Sequence, residues 1–176
     1  MGIVATSVAQ NTVESALALR RAESDKAPKR LDLALAIGNT AVPAGKYDLA
    51  IATYDKLQAR LEKGSKAQGD VFLRIGETYR RKGDLNAAVQ ALEKARQTMP
   101  ENTIVLGTLA VTLDGAGRRP EARQVYEATL KIQPDNPVEL NNLAFLMAES
   151  GTQLDEALSK AQRAKALLPS LYEIAD

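Results

Sequence analysis

The sequence contains no cysteine, no histidine and no tryptophan. Without cysteine there can be no disulfide staple, thiolate nucleophile or thiolate metal site, and the redox compartment leaves no trace in the chain. Without histidine the commonest general base and the commonest transition-metal ligand are both missing. Aromatic residues make up only 4% of the 176 residues, so a core has to be built from small and aliphatic side chains, which suits helix packed on helix. Neither sign of charge dominates: 23 Lys and Arg face 22 Asp and Glu, a formal net charge of +1. A nucleic-acid binder normally shows a basic excess or stripe, so no nucleic-acid partner is expected. Apolar stretches are broken by charge within a turn or two, too short to span a membrane, and residues 1–10 lack the basic start and apolar middle of a secretory signal. With 45% hydrophobic and 26% charged residues, the composition is that of a soluble globular chain.

What is present is a period. Pro100 and Pro134 differ in position by 34, as do Gly83 and Gly117, Gly117 and Gly151, and Ala88 and Ala122. The intervals Ala122 to Ala157 and Pro134 to Pro169 are 35, which places one extra residue between Gly151 and Ala157. Backwards along the chain, Gly38 to Gly76, Gly45 to Gly83 and Ala50 to Ala88 are each 38. Four extra residues are thereby assigned to the Gly/Ser/Lys-rich stretch 63–69, expected to be a loop. A period of 34 is that of a helix-turn-helix array.

Gly76, Tyr79, Gly83, Ala88, Ala95 and Pro100, led by Phe72 and Ile75, stand in the spacing of the tetratricopeptide (TPR) signature, and the chain resembles that family. Leu109, Ala110, Leu113, Gly117, Ala122, Tyr126 and Pro134 repeat it with Thr129 where the family favours Ala, and Leu143, Ala144, Gly151, Ala157, Ala164 and Pro169 repeat it again. An earlier copy keeps Ile37, Gly38, Gly45, Ala50 and Tyr54 but has no closing Pro. The resemblance covers 31–170 and implies an all-α fold, a right-handed superhelical solenoid of antiparallel helix pairs. The last copy is similar to segments of long bacterial TPR proteins, which implies bacterial cytoplasm or periplasm without choosing between them.

Each feature has a physical reason at its position. Two helices can approach closely only where facing residues are small, which matches Gly76 or Ala110 on one helix with Ala88 or Ala122 on the other. Gly83 and Gly117 follow helices, where a left-handed residue commonly ends the helix. Pro100, Pro134 and Pro169 cannot continue a helix and close the second of each pair. Leu85, Ala88, Val89 and Leu92 make one apolar stripe at intervals of three and four. First helices are therefore expected near 31–43, 69–82, 103–116 and 137–150, and second helices near 46–62, 85–98, 119–132 and 154–167, with Pro43 able to end its helix early.

The division that follows is a degenerate half-repeat at 1–30 with a helix about 12–26, four repeats at 31–68, 69–102, 103–136 and 137–171, and the start of a further repeat at 172–176. Ala16 lies twelve residues before Pro28, the separation of Ala88 from Pro100. Solenoids end in polar caps, and none is evident, so the chain is expected to be a segment of a longer protein. The last helix, with Leu158, Ala161 and Leu168, is a place where a second copy could pair.

In the TPR family the inward residues of first helices line a concave face that binds an extended peptide or a partner helix. Carried onto this chain, the resemblance implies a face containing Leu35, Asn39 and Val42; Asp70, Leu73, Glu77 and Arg80; Gly107, Val111 and Asp114; and Asn141, Phe145 and Ala148. The amides of Asn39 and Asn141 suit a ligand backbone, and Phe145 an apolar contact. The same residues also read as solvated or next-repeat packing positions. A two-carboxylate clamp for chaperone tails is rejected: Asn39 and Arg74 fit parts of it, but Leu35, Ile104 and Thr108 stand where it needs cations. Arg80, Arg81 and Lys82 suit the negative end of a helix. The pairs Asp114 with Glu149 and Asp70 with Glu77 read as surface charge, and Gly115–Gly117 is a helix-ending turn without the Gly-Lys-Ser/Thr of a phosphate loop. The expected function is a non-catalytic protein–protein interaction scaffold, not an enzyme, with a protein or peptide ligand, no cofactor and no metal. The alternative is a structural assembly segment that stacks or self-associates through its ends.

Overall fold

The structure, a computed structural model, describes residues 12–23, 31–151 and 153–168. Among the described residues every regular element is an α-helix: α1 (12–23), α2 (Leu31–Ala41), α3 (Tyr47–Gln58), α4 (Lys66–Lys82), α5 (Leu85–Thr98), α6 (Thr103–Gly115), α7 (Arg119–Ile132), α8 (Pro137–Glu149) and α9 (Leu154–Leu167). The chain forms two compact units, Met1–Thr98 and Met99–Asp176. The expected end of the first helix at 26, and Pro28, Pro169 and 172–176, lie outside the described residues.

In the first unit Leu17 of α1 joins Ala34, Ile37, Tyr54, Leu57, Val71 and Ile75 in one apolar core. Gly76 shows why small residues are needed where α4 meets α5: a Cβ there would sit 2.6 Å from Leu92 Cγ and 3.3 Å from the Ala88 carbonyl oxygen. α2 ends at Ala41, two residues before Pro43, as that proline allows. α4 differs from expectation. It has 17 residues against 13 in α6, because Ser65 accepts a hydrogen bond from the Gln68 N–H at 3.2 Å and starts the helix at Lys66. Much of the 63–69 insertion is thus helix rather than loop.

α4 ends on Gly83, whose φ of +89° is the left-handed conformation that carries no steric cost only for glycine. The Asp84 N–H then reaches back to the Tyr79 carbonyl at 3.0 Å, satisfying a carbonyl the helix would otherwise leave bare. In the second unit the same turn recurs at Gly117 with φ +76° and Arg118 N–H on the Leu113 carbonyl at 2.9 Å.

The core of the second unit contains Val105, Leu106, Leu109, Leu113, Tyr126, Leu143 and Met147. Asn102 and Asn136, one repeat period apart, cap α6 and α8 by accepting from the backbone N–H groups of Ile104 and Val105, and of Val138 and Glu139, at 3.0 to 3.3 Å. The residue inserted after Gly151 lengthens the turn into α9. Its last residue, Gln153, takes φ +55°, a left-handed conformation strained for a residue with a side chain.

Candidate functional site

In the first unit, α2, the end of α3 and the start of α4 surround a groove of about 530 Å³. Four of the expected residues line it: Leu35, Asp70, Leu73 and Glu77, together with Leu31, Leu57, Leu61 and Arg74. Its lining is mostly leucine, with Asp70, Arg74 and Glu77 as the charged members. Asp70 is already paired with Lys66 one turn earlier at 2.8 Å. Asn39 is a joint rather than a free amide: its Oδ1 accepts from the Tyr54 hydroxyl at 3.1 Å and from Arg74 Nη1 at 2.9 Å, tying α2 to α3 and α4. Tyr54 is buried, and burial pushes its phenol above the usual range while Arg74 partly opposes the shift. Arg80 is exposed and lies outside the groove. Its neighbour Lys82 is held by Asp48 of α3, a bond that raises the lysine's pKa.

In the second unit the expected residues separate into two settings. Asn141 and Phe145 share a shallow apolar groove with Leu154, Leu158 and Ala161 of α9. Val111, 40% exposed, belongs with Ile104, Val138 and Phe145, which are 66%, 45% and 56% exposed. Ile104 and Val138 stand one period apart, as do Val111 and Phe145, so consecutive first helices offer the same pair of apolar side chains two turns apart. Asp114 and Glu149 do not face each other as a bare acidic pair: Arg119 stands 3.6 Å from each.

Gly107 marks the other feature of this face. A Cβ there would lie 2.5 Å from Glu139 Oε1, so the carboxyl occupies the space that a side chain at 107 would fill. Glu139 is 6% exposed, and its Oε2 is buried without a hydrogen-bond partner. Burial holds its pKa above the usual carboxylate range. Burial, then the nearby Glu139 and Asp114 carboxylates, push the Tyr126 phenol upward, against the Asn142 hydrogen bond.

Among the described residues no group of three or more acidic side chains could hold a metal ion, and no helix is long and apolar enough to cross a membrane. Two tetratricopeptide repeat family models match the chain, one over residues 35–102 and one over 79–144, together more than half of it. The chain is a tetratricopeptide repeat protein. Among solved structures this TPR chain is similar to MamA, with a TM-score of 0.78 at 19% identity over 97% of both chains. It is also similar to YrrB, a TPR protein with an unusual peptide-binding site, with a TM-score of 0.72 at 21% identity over 94% of this chain and 82% of that one. These likenesses concern the fold. A curated relative, Tonsoku-like protein of Bos taurus, is 30% identical over 128 residues, 66% of this chain but only 8% of that protein.

Sequence reasoning missed four participants in the TPR faces. Ile104 and Val138 carried a usable signal, since both lie seven residues before an expected site residue. Arg119 carried a weaker one, as a cation beginning the helix after Asp114. Glu139 carried none: a glutamate in the first turn of a helix reads as a dipole partner in water, and its burial depends on the missing side chain at Gly107.

Proposed function

We propose that this TPR protein is a non-catalytic scaffold that binds a peptide or a partner helix on the first-helix faces of its units. The observation that carries this reading is the recurrence of exposed apolar pairs, Ile104 with Val111 and Val138 with Phe145, on consecutive first helices. Packing buries the equivalent core positions of both helices, Leu106 and Leu140, Leu109 and Leu143, so the exposed pairs are surplus to the fold. Apolar residues repeated on one face mark a contact surface more than singly scattered ones do. The groove of the first unit adds a second surface, with leucines for an apolar ligand side chain and Arg74 and Glu77 for polar ends.

The test compares partners captured by the unaltered chain with those captured by a Leu73→Ser, Glu77→Ala, Asn141→Ala, Phe145→Ser variant whose helicity is checked by circular dichroism. Loss of specific partners from a folded variant is expected; an unchanged partner set rejects the assignment. A second reading, self-association, is favoured by Leu154 and Leu158 of α9, each 58% exposed beside Phe145. Light scattering that finds a concentration-dependent dimer, abolished by Leu158→Ser, would select it.

A further inference from the structure

We propose that the α6 and α8 face of the second unit takes a basic amphipathic segment of a partner protein, with apolar side chains over Val111 and Phe145 and a lysine or arginine directed to Glu139 beside Gly107. This rests on the reading of first-helix faces as binding surfaces and adds the chemistry of the occupant.

Three observations converge on a cation. First, Glu139 is 6% exposed with Oε2 unpartnered, and an ionised carboxylate left without a donor away from water is disfavoured. Second, it lies in the slot left by Gly107, which is itself partly exposed, so the carboxyl sits just beneath the surface and a slender side chain arriving over residue 107 meets it. Third, among the described residues no cation is paired with it. α6 and α8 contain no Lys or Arg, only the carboxylates Asp114, Glu139 and Glu149. The nearest first-turn cation of α7, Arg119, is placed at Asp114 and Glu149. The other groups turned towards this region, Tyr126 of α7 and Asn142 of α8, supply no positive charge. The exposed apolar pairs of α6 and α8 would exclude water from an incoming ligand's contact. A charge-assisted bond made inside such a rim is stronger than one made in open solvent.

The experiment uses three fluorescein-labelled helical peptides with one leucine stripe and, at a central position of that stripe, lysine, norleucine or glutamate. Anisotropy is measured against the full chain, its Glu139→Gln variant and a Val111→Ser, Phe145→Ser variant. The lysine peptide should bind the unaltered chain about tenfold more tightly than the norleucine peptide, a difference of about 1.4 kcal/mol, and the glutamate peptide more weakly than both. Glu139→Gln, which keeps shape and removes charge, should abolish the lysine preference while retaining norleucine binding. Val111→Ser, Phe145→Ser should weaken all three. On the unaltered chain, the carboxyl 13C resonance of Glu139 should move on adding the lysine peptide and stay in place with the norleucine peptide. Equal binding of lysine and norleucine peptides, or a lysine preference that survives Glu139→Gln, overturns the cationic occupant and leaves the binding face standing. Failure of every peptide to bind overturns both.

Discussion

The first-helix faces of the two units carry opposite chemistry at two repeat positions. Asp70 and Glu77 in the first unit stand one period before Ile104 and Val111 in the second, which in turn precede Val138 and Phe145 by the same interval. The scaffold positions change far less: Ala88 and Ala122 are both fully buried, and Gly83 and Gly117 both turn left-handed. Residues that two helices must share are constrained by packing density. Residues facing outward are free to diverge. The divergence, more than the repeat, is where ligand chemistry is to be read.

The strongest way to challenge this comparison is to overpack both scaffolds alike. Ala88→Leu and Ala122→Leu should each cost about 1–3 kcal/mol, measured by urea unfolding followed by circular dichroism. A large cost in one unit and none in the other would break the equivalence of the scaffolds.

A finer comparison is glycine against glycine. Gly76→Ala forces a methyl against Leu92, a packed side chain, and should destabilise the first unit. Gly107→Ala meets only the tip of Glu139, which can swing towards water, while the helix gains about 1 kcal/mol of propensity. The second substitution should therefore leave the urea midpoint unchanged or raise it, and a midpoint that falls in both would show the Glu139 slot to be rigid.

The smallest effect sharpens the electrostatic difference. Burial raises the folded-state pKa of Glu139 above its unfolded value, so its stabilising contribution is fully present below the unfolded pKa and disappears as pH rises through the folded one. Glu139→Gln should gain about 1 kcal/mol at neutral pH by removing an unsatisfied buried carboxylate, and the gain should vanish on acidification. Parallel stability–pH profiles for the two chains would contradict the assignment.

Much of the fold was legible because Pro, Gly and Ala are forced to recur wherever helices stop, turn or touch. The start of α4 was not: the Gly/Ser/Lys-rich insertion reads as a loop, yet Ser65 caps a helix and Lys66, Ala67 and Gln68 extend it readily. On the faces, Val111 and Phe145 were legible as apolar residues at inward positions. Asn39 was expected to offer its amide outward, whereas its oxygen closes a bond with Tyr54 and Arg74, side chains brought from 15 and 35 residues away. The setting of Glu139 depends on Gly107, a residue of the preceding first helix that has no side chain, and no local pattern encodes that relation.

Within each unit the principal helix packings join neighbours in the chain: α2 with α3, α3 with α4, α4 with α5, and likewise α6 with α7, α7 with α8 and α8 with α9. Each helix therefore finds its partner after closing only a short loop, so the entropy of chain closure is low and folding can begin at any pair and spread. Such a chain can also tolerate duplication: a helix pair copied in register meets the same neighbours as its parent, and its outward residues are then at liberty to acquire a different ligand.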